Sequence, residues 1–128
     1  MRYVTTDKAA KPFSRYSQAV VLEDGERLVF ISGQVGVSAS GELAPTSSAQ
    51  HEAVWSNILA ILESEGLGPQ HLVDVTGYIT DPAELPAYRA ARDKALNGAA
   101  PASTLLVVQG LADPRWKVEI SAVAAATG

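Results

Sequence analysis

Alternating apolar and polar residues predict β-strands in several parts of this chain. The alternation is clearest at 116–123, because successive residues of a strand point to opposite faces of a sheet. One face would carry Val118, Ile120 and Ala122, and the other Lys117, Glu119, Ser121 and Val123. Segment 72–80, rich in β-branched residues, predicts another strand. The apolar run 105–108, between Gly98 and Gly110, predicts a buried central strand over 104–108.

An Asp-Gly pair between two apolar segments predicts a β-hairpin. Its strands would be residues 16–22 and 27–32, since Gly25 can adopt the positive φ of a tight turn. Gly33 and Gly36, at the end of the second strand, indicate a bulge or a close backbone approach. Residues 1–14 are polar and contain Pro12, so this segment is predicted to be irregular.

A first amphipathic helix is predicted to follow Ser47. Ser47 would be the N-cap, and Gln50 would complete a capping box. The helix ends near Gly66. His51 and Glu52 fall in its first turn and are expected to be solvent-exposed. A single apolar stripe follows at helical spacing, formed by Trp55, Ile58, Leu59 and Leu62.

A second helix is predicted to begin at Asp81, with Pro82 in its first turn and Glu84 closing a capping box. Arg92 falls on its apolar face, where it would either lie along the edge of the core or point into a cleft. That face is formed by Leu85, Tyr88, Arg92 and Ala95.

The element order ββ-α-β-α-ββ predicts an α+β fold, with a mixed sheet and two helices on one of its faces. A chain of 128 residues fits one domain spanning 1–128. The other sheet face would carry hydroxyl groups, Glu119 and apolar side chains. We therefore expect another copy of the chain to cover that face, which makes the protein a homo-oligomer.

Composition narrows the functional classes. A net charge of −4 with scattered basic residues argues against nucleic acid as a partner. Apolar runs fall far short of the ~20 residues of a membrane span, and no signal-peptide core is evident, so we expect a cytoplasmic protein. The chain has no cysteine and only two widely spaced histidines, His51 and His71, so no metal site is expected.

The segment Pro101-Ala102-Ser103-Thr104 places two hydroxyl residues where a loop enters a strand. Such positions are common for ligand contacts, because the strand holds the loop rigidly. The alternative is a solvated strand start with no function.

Four segments together resemble the RidA family, also called YjgF/YER057c/UK114. The segments are Tyr-Ser-Gln-Ala at 16–19, Ser-Gly-Gln-Val at 32–35, Pro-Ala-Ser-Thr at 101–104 and Val-Glu-Ile-Ser-Ala-Val-Ala at 118–124. The resemblance implies a chorismate-mutase-like two-layer fold, assembled as a trimer with clefts between subunits. It also implies a hydrolase that converts enamines and imines such as 2-aminoacrylate to 2-keto acids and ammonia, with no metal or organic cofactor.

The same resemblance implies roles for individual residues. Tyr16 corresponds to a cleft tyrosine, and Ser32 and Gly33 to the cleft wall. Glu119 corresponds to the acid that positions the attacking water, as a general base does. The alternatives are interface packing for Tyr16, a strand-end cap for Ser32 and a plain surface position for Glu119.

Ser103 departs from the family pattern, because active deaminases carry an arginine there that clamps the substrate carboxylate. Serine cannot form the bidentate pair. Loss of such a pair costs about 2–5 kcal/mol, or roughly thirty- to several-thousand-fold in rate or affinity. Arg89, where family members carry asparagine, is a candidate substrate-binding residue, and Arg92 and Arg15 are two other possible substitutes. Ser103 and Thr104 would offer hydroxyl hydrogen bonds.

Two functional hypotheses remain open. One is a Rid-type hydrolase or deaminase acting on an imine, enamine or related small carbonyl compound, with 2-iminoacid deaminase activity weak or absent. The other is a non-catalytic relative that binds a small metabolite in the cleft. An endoribonuclease activity, as some family members are named for, fits the acidic charge least well.

Overall fold

The computed structural model describes residues 1–127, which form six β-strands and two α-helices. The helices are α1 (Ser47–Ser64) and α2 (Leu85–Leu96). The strands are β1 (Arg2–Val4), β2 (Ala19–Val21), β3 (Glu26–Val35), β4 (Leu72–Ile79), β5 (Ala102–Val107) and β6 (Val118–Thr127). Short 3-10 turns at Pro69–His71 and Pro82–Glu84 precede β4 and α2.

Four of the strands form one mixed sheet in the order β3-β6-β4-β5. β4 and β5 are parallel, and the other two pairs are antiparallel. β1 and β2 pair with each other in a separate antiparallel ribbon. The predicted α+β fold with a mixed sheet is confirmed.

The two helices cover one face of this sheet, which we call the helix face. β6 alternates as predicted, with Val118, Ile120 and Ala122 buried in the core. The predicted stripe of α1 also packs there: Trp55, Ile58 and Leu62 are buried, and Leu59 is partly buried against them. Apolar periodicity therefore predicted the core positions of both elements.

Gly77 in β4 lets α2 approach the sheet closely. A Cβ atom at this position would lie 2.6 Å from Cε2 and Cζ of Tyr88, whose side chain is fully buried. The Tyr88 hydroxyl has no hydrogen-bond partner within residues 1–127. Burial raises the pKa of Tyr88 to about 12, and the nearby Arg92 guanidinium opposes that rise. Only a residue without a side chain leaves room for the ring.

The predicted hairpin does not form. Gly25 has a φ of +84°, so the chain does turn there. β2, however, pairs with β1, and β3 pairs with β6. The Asp-Gly signal specifies a local turn but not the partners of the flanking strands. β1 also lies within segment 1–14, which was predicted to be irregular.

β5 is an edge strand, not the buried central strand that its apolar run predicted. It lies at the end of the strand order beside β4, and Leu106 and Val107 are 47% and 55% exposed. A short apolar run shows that a strand has hydrophobic surroundings, but not whether they come from the same chain. The central positions belong to β4 and β6.

The start of α1 also differs from the prediction. Thr46, not Ser47, is the N-cap, and its side chain accepts a hydrogen bond from the Ala49 N–H at 3.1 Å. Gln50 does not close a capping box. It is buried and ties α1 to the segment before β6, where its Oε1 accepts from the Lys117 N–H at 2.9 Å.

The sheet face opposite the helices, which we call the open face, exposes large apolar side chains. Phe30 is 75% exposed and Leu28 is 43% exposed. The register of β6 with β4 places Glu119 opposite Tyr78 and Ser121 opposite Thr76 on the same face. The face thus combines hydroxyl groups, a carboxylate and apolar groups, as the alternation in β6 predicted.

Neither α1 nor α2, the helices of the described chain, is long and apolar enough to cross a bilayer.

Candidate functional site

Glu119 lies against the backbone of Gly33, where β3 bulges away from β6. The register of these strands shifts between Ile31 and Gln34, so Ser32 and Gly33 form the predicted bulge. A Cβ atom on Gly33 would lie 2.9 Å from Cδ of Glu119. Glycine therefore leaves room for the carboxylate above the bulge.

Ser32 lines a depression of about 220 Å³ on the open face, beside the bulge. Phe30, Asp74 and Ser121 line the same depression. The sequence-based prediction missed Asp74 as a member of this group. The two-residue period of β4 could have placed Asp74 on the same face as Thr76, but only once the partner strand and register were known.

Tyr16 lies beside the loop that leads into β5. The Ser17 N–H donates to the Pro101 carbonyl at 3.1 Å, and the Ser17 hydroxyl donates to the Ala100 carbonyl. The Tyr16 hydroxyl accepts from the Phe13 N–H at 3.1 Å. A groove of about 580 Å³ runs along this junction. The structure thus brings Tyr16 close to the segment that contains Ser103.

Ser103 and Thr104 point to opposite sides of β5. The parallel register sets Ser103 opposite Val75, which is fully buried in the core, and Thr104 opposite Thr76 of the open face. Since Thr76 is also opposite Ser121, three hydroxyl side chains form a row across β5, β4 and β6. Ser103 lies on the side of the helix face and outside this row.

The residues predicted for the site form two separate groups within one chain. Glu119 in β6 pairs with Tyr78 in β4, and Tyr78 pairs in turn with Leu106 in β5. Leu106 is three residues after Ser103 on the same strand. Two strand spacings and three residues along a strand put about 14 Å between the Cα atoms of Glu119 and Ser103. Tyr16 lies with Ser103, whereas Ser32 and Gly33 lie with Glu119.

Arg92 is a structural residue in this chain. Its side chain is 5% exposed, and its guanidinium donates to Asp93 Oδ1 at 3.0 and 3.1 Å. It also donates to the Ser14 hydroxyl at 2.7 Å and lies 5.9 Å from the ring centroid of Tyr88. These contacts anchor the N-terminal segment to α2, at the edge of the core.

The two other candidate arginines occupy different surfaces. Arg89 is exposed on α2. Arg15 is exposed and lines the groove that also contains Tyr16. Arg15 is therefore the candidate cation that shares a groove with a predicted site residue.

A buried histidine–glutamate pair was not predicted from the sequence. His51, expected to be exposed, is 1% exposed, and its Nε2 lies 2.9 Å from Glu84 Oε1. The Ser47 hydroxyl donates to the same oxygen. Glu84 therefore does not close the predicted capping box, and Asp81 caps only the 3-10 turn, accepting from the Ala83 N–H at 2.8 Å. No local pattern could link two side chains that are 33 residues apart.

Residues 6–126 match the model of a family described as Endoribonuclease L-PSP. A RutC family protein of Aquifex aeolicus is 42% identical over 82 residues, which cover 63% of each chain. A mouse 2-iminobutanoate/2-iminopropanoate deaminase is 30% identical over 126 residues, covering 96% of this chain and 90% of that one. The crystal structure of YyfB, a Rid-family protein of unknown function from Yersinia pestis, superimposes with a TM-score of 0.86 at 32% identity, covering 98% of both chains.

Proposed function

Because the chain belongs to the Endoribonuclease L-PSP family, also called the Rid or YjgF/YER057c/UK114 family, we propose that it binds and hydrolyses a small imine, enamine or related carbonyl metabolite. The site is a cleft between subunits of a homotrimer. Glu119 and Tyr16 act in catalysis, and Ser32, Gly33, Ser103 and Thr104 contact the substrate. No metal or organic cofactor takes part.

The placement of Glu119 above the Gly33 bulge is the observation that supports this proposal most directly. A carboxylate on a sheet face can accept a proton from a water molecule as a general base. That water adds to the carbon of the C=N bond, the proton taken up by Glu119 passes to the nitrogen, and the C–N bond of the adduct then breaks. The products are one carbonyl compound and one ammonia molecule for each water consumed. Gly33 contributes by leaving the carboxylate free of steric conflict.

A second subunit is needed to complete this site. About 14 Å separates Glu119 from Ser103 within one chain, which is too far for both to contact one small substrate. The open face also exposes Phe30 and Leu106, which an isolated chain would leave in water. Packing against another copy buries these side chains and places Glu119 of one chain near the Tyr16–Ser103 region of another.

Ser103 restricts the substrate. Its hydroxyl is neutral and short, so it does not replace the two parallel hydrogen bonds between an arginine and a carboxylate. We therefore expect the preferred substrate to lack an α-carboxylate, and 2-iminoacids to be turned over slowly or not at all. Of the three candidate arginines, Arg15 is the one that shares a groove with Tyr16.

The same serine favours a second candidate function, in which the cleft binds a carbonyl metabolite without turning it over. An endoribonuclease activity receives less support, since the chain has a net charge of −4 and most nucleic-acid-binding surfaces are basic.

The test is a deamination assay in which 2-iminopropionate is generated in situ and its loss is timed against spontaneous hydrolysis. Wild type is compared with Ser103→Arg, with Ser103→Lys as a charge-matched control that cannot form the bidentate pair. We expect Ser103→Arg to exceed wild type by about thirtyfold or more, and Ser103→Lys to gain much less. Adding Glu119→Gln to Ser103→Arg should abolish the gain.

High activity of the wild type would refute the role given to Ser103. No gain in Ser103→Arg would refute the hydrolysis of carboxylate-bearing imines in this cleft. In that case, acetone, a small carbonyl compound without a carboxylate, is titrated into the wild type and followed by NMR at the Ser32 and Gly33 amides to test the binding function. Shifts at these amides would support it, and their absence would refute it.

A further inference from the structure

A second polar groove lies at the carboxyl ends of the parallel strands β4 and β5. Its volume is about 390 Å³. Gln109, in its wall, is six residues beyond Ser103 along an extended segment, or about 20 Å away. The groove is therefore remote from Ser103, but Lys117 lies only two residues before Glu119, about 7 Å along the chain, so the groove borders the Glu119 side of the proposed cleft. The lining includes the side chains of Asp81, Glu84, Gln109, Trp116 and Lys117.

Glu84 is held rigidly at the wall of this groove. Its Oε1 accepts hydrogen bonds from both His51 Nε2 and the Ser47 hydroxyl, so two elements fix the orientation of the carboxylate. The side chain remains 15% exposed, whereas His51 behind it is 1% exposed. Oε2 is the remaining acceptor. A partly buried carboxylate with one oxygen already committed is well suited to bind an ammonium group.

The groove also contains a second carboxylate, a cation and an aromatic ring beside Glu84. Asp81 is a second carboxylate, fixed by the Ala83 N–H. Lys117 provides a cation, and its backbone is anchored because its N–H donates to buried Gln50. The indole of Trp116 provides an apolar wall.

We propose that this groove binds a free α-amino acid with an apolar side chain. Glu84 and Asp81 bind the ammonium group, Lys117 binds the carboxylate, and the side chain packs on Trp116. The site adjoins the proposed cleft on its Glu119 side, but its test involves no deamination, so its outcome does not depend on the proposed hydrolysis.

The test follows the indole N–H signals of the protein by NMR. The chain has two tryptophans, so Trp116 reports on the groove, while Trp55, which is buried, serves as an internal control. The probes are L-leucine, 3-methylbutylamine, which lacks only the carboxylate, and 4-methylpentanoate, which lacks only the ammonium group. We expect leucine to shift the Trp116 signal saturably at millimolar concentration, the amine to bind more weakly, and the acid to bind weakest.

Two variants assign the contacts. Glu84→Gln should weaken leucine binding about tenfold or more, and Lys117→Gln about two- to fivefold while leaving the amine unaffected. Glu63→Gln and Lys94→Gln, exposed positions on α1 and α2, are the matched charge controls and should bind leucine as wild type does. The proposal is overturned if leucine leaves the Trp116 signal unchanged, if the amine binds as tightly as leucine, or if Glu84→Gln binds like wild type.

Discussion

Replacing Gly77 with alanine tests the packing of α2 on the sheet. The new Cβ would lie 2.6 Å from two carbons of the Tyr88 ring. Carbon atoms in contact are normally about 3.5–4.0 Å apart, so the ring must move by about 1 Å. Tyr88 is fully buried, and the surrounding core resists such a shift.

The expected cost follows from two opposing terms. Overpacking a well-packed core costs about 1–3 kcal/mol. Alanine also restricts the unfolded chain, which stabilises the fold by about 0.4–1 kcal/mol. We therefore expect Gly77→Ala to lower the free energy of unfolding by about 0.5–2 kcal/mol. Tyr88→Phe removes the hydroxyl group that packs over Gly77, so the double variant should recover at least about 0.5 kcal/mol of this loss.

Urea denaturation at a fixed protomer concentration measures these differences, since association would make the midpoint depend on concentration. Gly110→Ala is the matched control, because a Cβ there meets nothing within 4 Å. The reasoning is refuted if Gly77→Ala costs no more than Gly110→Ala. It is also refuted if the changes at Gly77 and Tyr88 are strictly additive.

Two further predictions concern pH and assembly. Burial raises the pKa of Tyr88 to about 12, above the value near 10 expected when the chain is unfolded. The resulting stabilisation is present in full below pH ~10 and is lost as the pH rises towards 12. Between pH ~10 and 12, the urea midpoint of Tyr88→Phe should fall less than that of wild type. An equal dependence of the midpoint on pH in the two proteins would contradict this prediction. Phe30 is 75% exposed on the open face, so Phe30→Asp should reduce the sedimentation mass of the proposed trimer to that of a monomer. Ala90→Asp, at an exposed position of α2 on the other side of the sheet, introduces the same charge and should not. An unchanged mass for Phe30→Asp would exclude this face as the contact.

The parts of the fold that the sequence predicted well depend on regular local patterns. The stripe through Trp55 and Leu62 repeats at helical spacing, and the buried residues of β6 repeat every second position. Each of these patterns arises because one side of a single helix or strand is apolar, so it can be read from the sequence of that element alone. The bulge at Gly33 was also predictable, because glycine indicates a close backbone approach.

The features that were missed depend on partners far away in the chain. Gly25 predicted a turn, but the pairing of β3 with β6 involves residues about 90 positions apart. The apolar run of β5 did not reveal an edge strand. His51 was expected to be exposed because its partner, Glu84, lies in another segment.

For the candidate site, motif resemblance and geometry contributed different information. The motifs selected Glu119 and Gly33, which the structure places in contact. The motifs could not show that Ser103 and Thr104 point to opposite sides of β5. The sheet face on which each side chain lies depends on the register of β5 with β4. Nor could they show that Arg92 is committed to Asp93 and Ser14.

The position of β6 constrains how the chain can fold during synthesis. β6 is the last strand in the described chain, yet it lies between β3 and β4. As the chain leaves the ribosome, β3 therefore has no partner in this sheet until residues 118–127 have emerged. Only the parallel pair β4 and β5 can form earlier. Such long-range pairing slows folding, so a nascent chain exposes the unpaired edges of the long strand β3, a feature that favours aggregation, until β6 has been translated.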